Sequence, residues 1–290
     1  QPKTVQTMKE SQFNIHRFLL VAKRDIIEDW KGNLTKGIGN YALYTIIMIS
    51  LFINSHGMKF QDFIANMAEW ILVFTSIVFI FVSSDVLSPL SSKAKRISFL
   101  NLPATNFEKF AWRFLYVSVG FLAINLAAII LLDITHYLLL PLFNLGEGYA
   151  NLLTPYLIAK IFNILTNINA SIDGTTIDIS AISVTTFLVM SLWVHSLFLV
   201  GGCIWQKHPL LKTVSALFFL FVLMLIVLKI FSPVMLDLKP FLTEFFRNNG
   251  IKPFVIIVDC VIGAFTLLNW WISYRIFRSM QIVNPKLFRR

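Results

Sequence analysis

The chain has 290 residues, of which 57% are apolar and only 14% charged, and its formal net charge is +10. Several apolar runs approach the roughly 20 residues that span a hydrocarbon core, which excludes a soluble domain, and they lack the alternation of membrane-barrel strands. An all-α polytopic membrane protein remains, with one domain.

The opening QPKTVQTMKESQ is polar and holds no apolar core, so no cleavable leader is read there. In FNIHRFLLVAKRDIIEDWKG, residues 13–32, one helical face carries Ile15, Leu19, Ala22, Ile26 and Trp30, and the other carries Arg17, Arg24, Glu28 and Lys31. That division predicts an amphipathic helix lying along the membrane surface, closed by Gly32. Six spans are then predicted, at 38–54, 67–82, 111–132, 182–200, 214–230 and 254–274.

Lys and Arg fix the orientation, because cytoplasmic loops carry the excess. With both termini inside, 19 basic residues fall on the cytoplasmic side and six on the other. This distribution accounts for the net charge through topology and anionic lipid, so membrane lipids are expected partners and nucleic acid is not. Two outer segments exceed simple turns: residues 133–181 and 231–253 are expected to include re-entrant or membrane-surface pieces. Cys203 and Cys260 are not spaced as a redox or zinc pair and read as packing residues.

The loop between spans two and three carries a sharper signal. Thr105-Asn106-Phe107-Glu108 fits a capping box, in which Thr105 accepts from the N–H of Glu108 and the Glu108 carboxylate reaches back. The helix so started runs directly into span three, extending it rigidly into the cytoplasm. Ahead of it, SSKAKRISFLNL is basic then apolar, which predicts a short surface helix exposing Phe99 and Leu100.

Inside the membrane, Asp259 begins a stripe in span six that continues through Gly263, Thr266, Trp270 and Ser273. A buried carboxylate costs of order 2.5–3.5 kcal/mol on insertion scales, so this stripe must face protein or water, as a translocation face, a dimer face or a packing seam. In span four, Ser191 and His195 lie one turn apart, and His195 is expected to bond Ser191 or a neighbouring helix. The paired glycines Gly201 and Gly202 are expected to end that span. H-E-x-x-H, G-x-S-x-G and G-x-x-x-x-G-K-[ST] do not occur, so neither a familiar catalytic constellation nor a nucleotide-binding loop is visible.

Taken in order, FNIHRFLLVAKRDIIEDWK, FLNLPATNFEKFAWRFLY, WVHSLFLVGGC with QKHPLLKT, and SYRIFRSMQIVNPK resemble the permease subunit of a bacterial type-two ATP-binding cassette exporter. The resemblance covers essentially the whole chain but departs from the family in the long outer segment at 133–181. It implies a permease of the cytoplasmic (inner) membrane that pairs with a second permease and is driven by a separate cytoplasmic ATPase. ATP and Mg would then sit on that partner, with no catalytic residue, metal or cofactor on this chain. It also implies a coupling contact around 92–108, with Phe99, Leu100, Phe107 and Glu108 touching the ATPase and Asp259, Gly263 and Thr266 on the translocation or dimer face. Two rival readings are an intramembrane enzyme acting on lipid or peptide, starting from His195 and Asp259, and a membrane anchor for a cytoplasmic partner.

Overall fold

The computed structural model describes residues 13–54, 59–90, 92–143, 149, 151–166, 169–172, 175–178, 180–205, 207–232 and 252–280. It is an all-helical membrane fold with one short hairpin. The amphipathic helix α1 (Ile15–Glu28) starts at Asn14, whose side chain accepts from the backbone N–H groups of His16 and Arg17. A break at Asp29 separates it from α2 (Trp30–Ile53). The chain therefore turns at Asp29 rather than Gly32, which lies inside α2.

Next come α3 (Phe60–Ser84), α4 (Lys93–Leu100), α5 (Asn106–Leu115) and α6 (Phe121–Phe143). They are followed by α7 (Leu153–Thr166), the strands β1 (Asn169–Ile172) and β2 (Thr175–Asp178), α8 (Ser180–Ile204), α9 (Pro209–Ile230) and α10 (Lys252–Arg278).

All six predicted spans are present as helices long and apolar enough to cross a membrane. Span three is the longest, a continuous 38 residues from Asn106 to Phe143, or about 57 Å at the α-helical rise. It outreaches a ~30 Å hydrocarbon core at its ends. Residues 133–143, expected to begin an outer segment, are the last turns of this helix. Between α5 and α6 the span carries one wide π turn, Tyr116–Gly120. Such a turn inserts a residue and shifts the side-chain register, here aiming Ser118 at α8 and Tyr116 at α2.

Two apolar clusters hold the bundle. In the first, Tyr44, Met48 and Phe52 of α2 pack with Phe63 and Met67 of α3, Leu132 of α6, Tyr149, and Leu153 and Leu157 of α7. Helix α7 is fixed there by Asp133 of α6, whose Oδ1 accepts from the backbone N–H groups of Leu153 at 2.7 Å and Thr154 at 3.0 Å. An acid in span three thus caps the helix that follows it, satisfying donors that lipid could not. Asp133→Ala is expected to cost about 1 kcal/mol and to increase protease cutting within 144–168 before global unfolding, as read by limited proteolysis. After α7 the strands pair antiparallel, Asn169 opposite Asp178 and Ile172 opposite Thr175, a hairpin that the sequence pattern did not predict. Of the segment expected at 231–253 to include a re-entrant or membrane-surface piece, residues 233–251 lie outside the described residues.

The second cluster joins Val82, Val86 and Leu90 with Phe99, Phe110, Val117, Leu199, Cys203 and Phe277. It sits at the end of the bundle shared by α1, α4, the α8–α9 turn and the close of α10. Here Gly201 and Gly202 do not end α8, which continues to Ile204. They permit close approach instead. A Cβ on Gly202 would collide with the Ser84 carbonyl oxygen and lie 3.0 Å from its carbon, and one on Gly201 would collide with the Thr213 side chain. The turn into α9 passes through His208 at φ 51°, a left-handed conformation that costs a side-chain-bearing residue about 1 kcal/mol. Of the two cysteines, Cys203 is buried in this cluster, whereas Cys260 is exposed and does not serve packing within the chain.

Candidate functional site

The predicted capping box is present: Glu108 N–H donates to Thr105 Oγ1 at 3.2 Å, and Glu108 Oε2 accepts from Thr105 N–H at 2.8 Å. The other oxygen is used as well. Glu108 Oε1 accepts from Asn14 N–H at 2.8 Å and from Arg17 Nη2 at 2.9 Å. The carboxylate is fully buried and paired with Arg17, because once the cap is made its remaining lone pairs need donors and α1 supplies them. Glu108 is therefore not a surface contact for another protein; it pins α1 to the start of span three.

One turn further, Arg113 makes a second junction. It is 1% exposed and forms an ion pair with Asp25 of α1 at 2.8 Å. Its Nε donates to the Val86 carbonyl at 2.9 Å, its Nη2 donates to Ser88 Oγ at 2.7 Å, and the guanidinium lies 4.8 Å from the Tyr116 ring centroid. Trp112 Nε1 donates to the same Asp25 oxygen at 2.7 Å. A guanidinium offers five donors in a rigid fork, and here that fork bridges α1, the turn after α3, and span three.

The loop between spans two and three is held by the same means. Lys109 Nζ donates to the Leu100 carbonyl at 2.6 Å, Arg96 Nη2 donates to the Leu90 carbonyl at 3.0 Å, and Arg24 of α1 donates to Ser98. Phe99 was expected to be exposed, but it is 5% exposed, with its ring 6.4 Å from that of Phe277 on α10. Leu100 is half-buried against the same cluster. Both turn inward because α4 is amphipathic and the second apolar cluster offers more burial than the surface. Phe107 does stand out, at 52% exposed, flanked edge-on by Phe13 and Tyr274 at 6.1 and 6.0 Å. Ile97 of α4, which the sequence reading did not single out, is also exposed, at 37%.

The intramembrane residues form a separate seam. Asp259 Oδ2 accepts from Thr186 Oγ1 of α8 at 2.7 Å. Further along, Asn269 Nδ2 donates to Ser196 Oγ at 2.9 Å. Thr266 is buried and returns its hydroxyl to the Ile262 carbonyl at 2.9 Å, while a Cβ on Gly263 would meet nothing within 4 Å. The stripe on α10 thus packs against α8 of the same chain, so Thr266 is not free to form a dimer face, and Gly263 is not a point of close helix approach.

His195 is 1% exposed, and its Nε2 is 3.1 Å from Ser118 Oγ in the π turn of span three. Its ring stacks on Phe79 at 5.0 Å and meets Phe114 edge-on at 5.7 Å. Its partner is therefore on a neighbouring helix and is not Ser191. The π turn explains this, because the inserted residue brings Ser118 round toward α8.

The residues brought together thus form a charged joint at one end of the bundle and a polar seam within it. Arg113 and Asp25, the centre of the joint, were missed by the sequence reading; the available signal was an arginine in a helix entering a span, where it must find a buried partner. Compared with family models, curated proteins and solved structures, the chain matches none.

Proposed function

We propose that this chain is the membrane-spanning permease of an ATP-driven exporter in a bacterial cytoplasmic membrane, with both termini in the cytoplasm. It carries no catalytic residue itself. Two permeases pair, and a separate cytoplasmic ATPase binds ATP and Mg and pushes on the loop between spans two and three. One observation carries this reading: the loop, α1 and span three are locked into one rigid body by Glu108–Arg17 and Arg113–Asp25. A push on a floppy loop would dissipate. A push on this joint moves span three, and cargo moves only if it contacts the two resulting states differently.

The contact with the ATPase is carried by exposed Phe107 and Ile97 beside the basic residues of α4, whereas buried Phe99, Leu100 and Glu108 shape the loop from beneath. In this reading Asp259 and Thr266 order the α8–α10 seam next to the path, and His195 with Ser191 lies deeper along α8. Affinity purification of the tagged chain from its own host is expected to recover a protein with a G-x-x-x-x-G-K-[ST] loop. Phe107→Ala with Ile97→Ser should weaken that recovery by roughly thirtyfold in affinity, the scale of an aromatic anchor worth about 2 kcal/mol, while expression and melting temperature hold. Undiminished recovery with both side chains removed would end the docking assignment.

A further inference from the structure

An apolar groove of about 230 Å³ runs along the outside of the bundle between α2 and α6. One wall is Leu34, Ile38 and Tyr41, and the other is Ile124, Ala127 and Leu131. Each set spans eight residues of helix, about 10 Å from first to last, at spacings of three and four that keep it on one face. Leu34, Ile38 and Leu131 are about half exposed, so the groove opens away from the protein. In a bilayer its filling is hydrocarbon, and the walls fit several methylenes of one chain.

The groove mouth is basic. Tyr116, which donates its hydroxyl to the lining residue Asn33, lies under the Lys36 ammonium, 5.6 Å from the ring centroid. Lys31 stands one helical turn before Leu34 on the same face, its ammonium 5.8 Å from the Trp30 ring centroid. The neighbouring acids are largely neutralised by other partners: Asp25 pairs with Arg113, Glu28 with Arg24, and Asp29 with Lys95. Asp85 faces Lys36 at 3.9 Å, with both side chains well exposed. Lys31 enters none of the ion pairs among the described residues.

We propose that this groove and its flanking lysine form a site for one anionic phospholipid, with an acyl chain between α2 and α6 and the phosphate held by Lys31. Apolar length and uncompensated charge coincide here, at the junction where the surface helix turns into the first span. A zwitterionic lipid would fill the groove but gain little from the lysine.

The test is native mass spectrometry of the full chain released from nanodiscs containing equal amounts of phosphatidylglycerol and phosphatidylcholine. Retained phosphatidylglycerol is expected to exceed phosphatidylcholine by roughly fivefold, the scale of one lysine. Lys31→Gln should bring the two lipids to near parity while one lipid stays bound. Ala127→Trp, which fills the groove from an exposed position, should remove retained lipid of both kinds while the melting temperature holds. Equal retention of the two lipids by the unaltered chain would overturn the proposal, as would unchanged preference in the Lys31→Gln variant. If Ala127→Trp also lowers the melting temperature, the Lys31→Gln variant decides the outcome alone.

Discussion

Arg113→Met is expected to destabilise the protein by about 3–5 kcal/mol, the cost of leaving one member of a buried ion pair without its partner. The loss falls on several groups at once. Asp25 keeps only the Trp112 indole as donor, and the Val86 carbonyl and Ser88 hydroxyl lose theirs. A drop of roughly 6 °C or more in melting temperature should follow, measured by heating the detergent-solubilised protein and recording the monodisperse fraction. Adding Asp25→Leu to Arg113→Met should restore part of the loss, since an apolar pair of similar volume leaves no buried charge behind. A melting temperature unmoved by Arg113→Met would show that the joint is solvated and does not bind α1 to span three.

The second large effect concerns glycine, and it rests on contrast between positions. Gly202→Ala places a methyl group against the Ser84 backbone, which cannot rotate away as a side chain can. The helices must separate, at about 1–3 kcal/mol. Gly201→Ala should be similar, because the added methyl would also lie 2.9 Å from Thr213 Cβ. Gly263→Ala meets open space, so it should be neutral or should stabilise α10 by up to about 1 kcal/mol through helix propensity. The ranking is measured by thermal melts of the three single variants side by side. Gly263→Ala proving worst would invalidate the close-approach account of the α3–α8–α9 junction.

The six spans were legible in the sequence because each is a sum over about 20 residues, and no single misjudged side chain can reverse such a sum. The start of α5 was legible for another reason: the capping box closes within four residues, so both partners are visible together. The buried joint was not. Asp25 and Arg113 are 88 residues apart, and nothing in either segment names the other. Glu108 shows the same limit within one residue: its local role as a cap was readable, while its pairing with Arg17 was not. Phe99 was misplaced because α4 is too short for periodicity to decide which of its apolar residues turns inward. The π turn is invisible to pattern reading, which assumes a constant 3.6 residues per turn, so a neighbouring helix was legible as one of two places for the partner of His195 but Ser118 itself was not.

Helix α9 has a 22-residue length and an apolar surface on every side, yet only Thr213, in its second turn, is buried among its residues. Mechanically it is a cantilever clamped at its base. With a free length near 30 Å, a ten-degree swing at the clamp sweeps the far tip by about 5 Å. Small strains at Gly201 and Thr213 are therefore magnified where the helix meets the opposite leaflet, and its resting angle is set by whatever lipid or protein abuts its flanks.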